Sequence, residues 1–334
     1  MRELGGDSEG GRGSGGDATA RDSSVLLLLS PDARRRERAL GRRIAAGLAH
    51  DCHVRIAELR GPGDEERVVE LARAWRTSRV VAAGGDGTVS RAAHVALALG
   101  VPLGIVPLGT SNSVARALGI PSSLEAASDV ALSGSLRAID TARIDTARID
   151  TARIDTARIE SAGPSGPRPV VLLAAIGLHA QAISAAARPT KAALGRLAYV
   201  LAGARAVLET GPFAARVELD DRRVELETRS IVVASFAPRD TMLARGHLRP
   251  DDGLLEMTAF HAPGRVEALA AMAALGACAL VDVPAPSRYA STFSCRVVRI
   301  ATDPPMPVLV DGDIVGETPV SIGIAPASLR VAVP

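Results

Sequence analysis

The chain has 334 residues, a formal charge of +2 from 39 Lys and Arg against 37 Asp and Glu, and only 2% aromatic residues. That length fits about two domains of roughly 150 residues each, and near-neutral charge with so few stacking rings excludes a basic nucleic-acid binder. Hydrophobic residues make up 47%, enough for a sizeable core built mainly from Ala, Val, Leu and Ile.

Residues 1–24 are rich in Gly, Ser and Asp and are expected to form a disordered tail. Val25–Leu29 predicts a buried strand stopped by Ser30-Pro31, and Arg34–Ala49 a helix with Leu40, Ile44 and Leu48 on one face. Val54–Leu59 reads as a strand, Glu65–Trp75 as a helix, and Val80–Ala83 as a strand running straight into Gly84-Gly85-Asp86-Gly87-Thr88. Val89–Leu99 is a helix closed by Gly100, Pro102–Val106 a strand, and Ser111–Leu118 a helix closed by Gly119. Such alternation implies a parallel sheet covered on both faces, an α/β domain over 25–137.

After about residue 137 the pattern changes. Arg216–Leu219, Val224–Thr228, Ser230–Ser235, Leu254–Phe260, Arg296–Ala301, Pro307–Val310 and Ser321–Ile324 read as strands, several joined by short turns such as Asp220-Asp221. Only Lys191–Leu208 and Arg265–Val281 read as helices. The second domain, over 138–324, is therefore expected to be mainly antiparallel β, with residues 325–334 free to return to the first. The longest apolar run, Ala268–Val281, has 14 residues, short of the about 20 needed to span a bilayer. Cys52, Cys278 and Cys295 form no CxxC pair, which argues against a cysteine metal site and for a reducing, cytoplasmic setting.

From Ile139 the pentapeptide Ile-Asp-Thr-Ala-Arg repeats in tandem to Ile159-Glu160. A period of five puts successive Ile on alternate faces of a strand and gives no clean face on a helix. Roughly four units make too little coil to bury itself as a β-helix. The reading favoured is an expansion within one hairpin arm.

The chemistry concentrates in two loops. Gly84–Thr88 joins a buried strand to a helix, so its glycines permit close approach of a ligand and the helix start offers N–H groups suited to phosphate. Asp86 is placed to face a metal ion or a hydroxyl; on that reading Asp86→Asn lowers turnover by about two orders of magnitude. Pro107-Leu108-Gly109-Thr110-Ser111-Asn112 repeats the strand–loop–helix context, and two such loops on neighbouring strands build a cleft at the carboxyl edge of a sheet. Lys191 is the only lysine, so neither loop is a Walker A or protein-kinase site.

Together with Pro107–Pro121, Ile176-Gly177-Leu178, Gly195–Tyr199, Asp251-Asp252-Gly253-Leu254, Asp311-Gly312-Asp313 and the ending Leu329–Pro334, these residues resemble the diacylglycerol kinase catalytic-domain family, most closely bacterial lipid kinases related to sphingosine and ceramide kinases. The resemblance implies an α/β nucleotide-binding domain followed by a β-sandwich lipid-binding domain, with the active site between them. It implies ATP held by Gly84, Gly85, Asp86, Gly87, Thr88, Gly109, Thr110 and Asn112, and catalytic carboxylates at Asp311, Asp313 and Asp86. Asp311 is the favoured partner of the lipid hydroxyl. Asp251 and Asp252 match the segment that holds Mg²⁺, linked to a repeat aspartate, either Asp140 or Asp155. Three departures stand out: Ser30-Pro31-Asp32-Ala33 followed by three arginines in the first loop, His179 where many relatives have Asp, and Asp313 in place of Glu. The expected partner is a lipid substrate, most simply diacylglycerol, met at a membrane surface by peripheral contact; a homodimer is compatible with this. The competing readings are an NAD-kinase-like or sphingoid-base kinase, and a non-catalytic lipid- or nucleotide-binding protein.

Overall fold

The structure is a computed structural model that describes residues 24–29, 52–59, 64–109, 111–146, 168–178, 180, 211–235, 249–261, 264–270 and 290–334. Several expectations lie outside these residues: the N-terminal tail, the first loop with its arginines, the helices expected at 34–49 and 191–208, Thr110, most of the repeat including Asp155, His179, Cys278 and the later part of the apolar run. Two compact units form, one from the residues up to Ile139 with Ala327–Pro334, the other from Asp140–Pro326.

The first unit begins with β1 (Ser24–Leu29), β2 (His53–Glu58), α1 (Asp64–Ala74), β3 (Arg79–Gly84), α2 (Asp86–Leu99) and β4 (Leu103–Pro107). Two further helices follow, α3 (Ser113–Ala117) and α4 (Leu124–Ser133). The strands lie parallel in the order β2-β1-β3-β4. In β1 and β3 five of six residues are buried, the continuous apolar run expected of strands covered on both faces. The connection from β1 leads to one side and that from β3 to the other, so the order reverses between β1 and β3. In open α/β sheets a crevice for ligands opens at such a reversal, beyond the carboxyl ends of the strands.

The second unit opens with β5 (Ser135–Asp145), which starts in the first unit, β6 (Arg168–Val170) and β7 (Leu173–Gly177). β8 (Phe213–Leu219), β9 (Arg222–Thr228), β10 (Ser230–Ala234) and β11 (Leu255–Phe260) follow. The last strands are β12 (Ala290–Cys295), β13 (Val297–Asp303), β14 (Pro307–Val310), β15 (Asp313–Glu317) and β16 (Val320–Val333). One six-stranded sheet runs β12-β11-β10-β7-β14-β15, antiparallel throughout. A second antiparallel set runs from the start of β16 through β13 and β8 to β9.

Alternate residues of the two sets share one core. Val217, Val298, Ile300 and Ile322 come from one set, and Ile176, Ile231, Met257 and Val308 from the other. That is the packing of a β-sandwich. Cys295 belongs to this core; burial, with Asp220 nearby, pushes its thiol up to about 12, which leaves it unreactive. The far end of β16 leaves the sandwich and pairs with the first unit, Val331 lying parallel to Leu103 of β4.

Candidate functional site

The two glycine loops leave the carboxyl ends of β3 and β4, adjacent strands paired from Val80–Leu103 through Gly84–Pro107. Leu108 N donates to Gly84 O at 3.0 Å and carries the pairing one step beyond the strands. The loops then touch backbone to backbone: a Cβ on Gly109 would run into Gly85 Cα and come within 2.9 Å of Asn112 Oδ1. A Cβ on Gly84 would meet Thr88 Cβ at 2.7 Å. Thr88 is buried, and its side chain packs back on the strand end.

Gly87 differs from these. Nothing lies within 4 Å of the position its Cβ would take, and its φ is not in the left-handed region. It sits in the first turn of α2, where Gly is about 0.5–1 kcal/mol worse than Ala. Neither packing nor backbone conformation within the described residues requires glycine there. The helix start beside it carries no side-chain cap: Gly85 is the N-cap residue, and its carbonyl accepts from Thr88 N and Val89 N. The helix therefore begins at Asp86, inside the glycine motif, three residues earlier than the apolar periodicity indicates.

Asn112 holds the second loop in shape. Its amide donates to Gly109 O at 2.8 Å and its Oδ1 accepts from Gly109 N at 2.9 Å, with Asn112 itself at φ 47°. Asp86 reaches across from the first loop, and its Oδ1 accepts from Val114 N at 3.2 Å. Burial pushes the Asp86 carboxyl above its ordinary value, opposed by hydrogen bonds from Val114 and Ser113 and by the Arg116 charge.

In the second unit, Asp311 and Gly312 form the turn between β14 and β15, both at positive φ. Asp311 was expected to receive the lipid hydroxyl; its two oxygens also accept three backbone N–H groups, from Val171 at 2.8 Å, Leu172 at 2.9 Å and Leu173 at 3.0 Å. The carboxylate clamps the β6–β7 bend to the β14–β15 hairpin. Asp220 does the same in the β8–β9 turn, accepting from Arg296 N and Val297 N. Asp313, two residues beyond Asp311, is exposed at the start of β15.

Of the repeat aspartates, Asp140 is the described one that meets the 249–254 segment. It is 3% exposed; its N donates to Pro250 O at 2.6 Å and its Oδ2 accepts from Gly253 N at 2.7 Å. α4 ends at Ser133, seven residues before it. Asp252 Oδ1 accepts from Leu254 N, and Asp251 pairs with Arg249. Asp140 and the Asp251-Asp252 turn are thus brought together, yet no group of three or more His, Cys, Asp or Glu able to hold a metal ion forms among the described residues. Asp140, Asp251 and Asp252 engage backbone N–H groups and an arginine.

A parallel α/β unit with paired glycine loops, followed by an antiparallel sandwich that returns its last strand to the first sheet, defines a two-unit kinase-type fold. The chain carries a diacylglycerol kinase catalytic domain and a YegS-type C-terminal domain. Residues 24–144 match the diacylglycerol kinase catalytic domain, and residues 173–333 match the YegS C-terminal NAD kinase beta sandwich-like domain. An uncharacterized protein of Synechocystis sp. is 31% identical over 259 residues, covering 77% of this chain and 55% of that protein. Lipid kinase YegS of Escherichia coli K12 is 40% identical over 95 residues, 27% of this chain and 31% of that enzyme. The chain thus matches about half the length of the first relative and a third of the second. The crystal structure of a diacylglycerol kinase from Bacillus anthracis shares the fold at TM-score 0.62 and 16% identity, covering 93% of this chain and 97% of that one. A second crystal structure from the same strain reaches TM-score 0.69 at 19% identity, with the same coverage.

Proposed function

We propose that the protein is an ATP-dependent lipid kinase that transfers the γ-phosphate of MgATP to a lipid hydroxyl, with diacylglycerol as the acceptor and phosphatidic acid as the product. The observation that carries this is Gly87: a helix-start glycine that the described chain does not itself require, beside an uncapped helix end and a second glycine loop in backbone contact. A small residue kept clear of side chains leaves room for a phosphate to approach the backbone N–H groups.

Phosphoryl transfer depends on alignment and charge stabilisation more than on covalent chemistry by the protein. We assign the nucleotide phosphates to the loops at Gly84–Gly87 and Gly109, and the acceptor hydroxyl to Asp313. Asp313 takes the role first given to Asp311, whose oxygens are committed to three N–H groups. A carboxylate is a weak base toward an alcohol; Asp313 orients the hydroxyl and accepts the proton late, as the new bond acidifies the oxygen. Mg²⁺ enters with ATP as part of the substrate and offsets phosphate charge.

The acceptor requires contact with a bilayer. No helix among the described residues is long and apolar enough to cross one, and Val266 and Leu269, 77% and 38% exposed, share one face of the helical stretch 265–270. Peripheral attachment is the corresponding proposal, and release from membranes by carbonate without detergent is its expected behaviour.

The deciding assay uses radiolabelled ATP with mixed micelles of diacylglycerol, ceramide, sphingoid base or no lipid, and NAD in parallel. Magnesium-dependent labelling of diacylglycerol above the others is expected. Labelling of NAD alone would replace the lipid reading, and labelling of none would leave a binding protein.

A further inference from the structure

The N-terminus of α3 is capped from a distance. Its own N-cap residue, Asn112, makes no side-chain cap bond to the helix, because its amide is spent on Gly109. The cap comes from Asp86, 28 residues earlier in the chain. Asp86 Oδ1 accepts from Val114 N at 3.2 Å, and the backbone N–H and hydroxyl of Ser113 also hydrogen-bond to the Asp86 carboxylate. Ser113 and Val114 are the first two residues of α3. Asp86 is itself the first residue of α2, so one side chain ties the start of one helix to the start of the other. Directly beside it the glycine loops meet at Gly85 and Gly109.

From this geometry we infer that Asp86 is a positioning residue, an N-cap supplied across the loops that locks them at ligand-binding spacing, and not the acceptor of the substrate proton. This rests on the kinase reading for its substrate but not for its structural claim. A group that takes a proton from a hydroxyl must present lone pairs to it. Asp86 Oδ1 presents a lone pair to Val114 N, and the same carboxylate is held by Ser113. Breaking the latch releases α3 and the Gly109–Asn112 loop from α2, which loosens the nucleotide site first and slows transfer as a consequence.

The test compares Asp86→Asn with Asp86→Ala. Asn equals Asp as an N-cap, whereas Ala costs about 1 kcal/mol. Asn keeps an oxygen for Val114 N and loses the negative charge that a proton acceptor or metal ligand needs. Three quantities are measured: binding of a fluorescent ATP analogue, kcat and KM for MgATP, and hydrogen exchange at the Val114 amide. Asp86→Asn is expected to hold nucleotide affinity within about threefold and to retain at least about a tenth of kcat. Asp86→Ala is expected to weaken nucleotide binding about tenfold and to speed Val114 exchange by a similar factor. If both variants lose kcat a hundredfold or more with affinity unchanged, Asp86 is a catalytic carboxylate and the inference fails. It also fails if Val114 exchange is the same in Asp86→Ala as in the unmodified protein. Absence of any transfer by the unmodified protein would overturn the kinase reading, and the exchange measurement would still decide the latch.

Discussion

At Asp311 three backbone N–H groups are directed at the carboxylate oxygens, two at Oδ1 and one at Oδ2. Asp311→Asn keeps the first two and turns an NH₂ toward Val171 N. We expect a loss of about 2 kcal/mol in urea unfolding, the scale of leaving a partly buried donor unpaired. Asp313→Asn, at an exposed position, should change stability by less than about 0.5 kcal/mol and lower phosphate transfer about a hundredfold or more. Equal stability losses would show that the two carboxylates share one structural role. Gly87 and Gly109 separate in the same way. Gly109→Ala drives a Cβ into Gly85 Cα, so both melting temperature and nucleotide affinity should fall. Gly87→Ala meets open space in the chain and restores helix propensity. Its melting temperature should hold or rise while ATP binding weakens about tenfold or more; unchanged ATP binding would remove the main support for the kinase reading. The Asp-Gly-Asp spacing was visible in the sequence, but the Asp311 backbone contacts were not. They depend on Val171–Leu173, 138 to 140 residues away, reaching the Asp311 turn through strand pairing that no local pattern records.

Among the helices, α1 and α2 are joined by a buried ion pair between Glu65, 4% side-chain exposed, and Arg91, which also donates to Leu59 O at 3.0 Å. Burial pushes the Glu65 carboxyl up, but the Arg91 hydrogen bond and charge, with His94, outweigh it and hold it below the usual 4.5. A lowered acid pKa contributes stability above the unfolded value that is lost as pH falls through the folded one. Glu65→Gln should therefore cost about 2 kcal/mol at neutral pH, less than the 3–5 kcal/mol of a fully buried pair because Arg91 keeps Leu59 O and some water. The gap between the two proteins should close on acidification below pH 4.5; a gap constant with pH would mean the pair contributes packing alone. The strands and helices of the α/β pattern were readable because each is a strongly periodic or continuous apolar run. α4 escaped that reading: its buried face is only Ala127 and Ala131, too small to stand out, although Ser123 ahead of it is a typical cap residue. β12 and β15 were missed for a related reason. Both are sheet-edge strands, and burial on one side only weakens their hydrophobic signature.

For the molecule as a whole, the fold class was legible from the change of pattern after the α/β run, and the least legible stretch was the repeat. Its first unit is the strand core of β5. Ile139 and Ile144 are both buried, five residues apart and so on opposite faces, while Ala142, Arg143 and Ile144 pair antiparallel with Val170, Pro169 and Arg168. Thr146 then lies beside Gly316 of β15, 3.4 Å from where a Cβ would stand. These contacts use the first unit and the start of the second. Between the paired residues Ile144 and Arg168 lie 23 residues, and the later units fall there. Because the units are identical, deleting ten residues gives the same product whichever two are removed: Asp145–Ile154 and Asp150–Ile159 leave one sequence. The Asp140 bonds, the β5–β6 pairs and the Thr146 position are all retained in it. Shortening the connection from 23 to 13 residues changes loop-closure entropy by only about 0.5 kcal/mol, in the stabilising direction. The shortened chain is therefore expected to unfold within about 1 kcal/mol of the parent and to keep the proposed lipid-kinase activity at the parent's level. Asp140→Asn, in contrast, places an amide donor against Gly253 N and should cost about 2 kcal/mol. A deletion that destabilises as much as Asp140→Asn would show that the later units carry packing of their own.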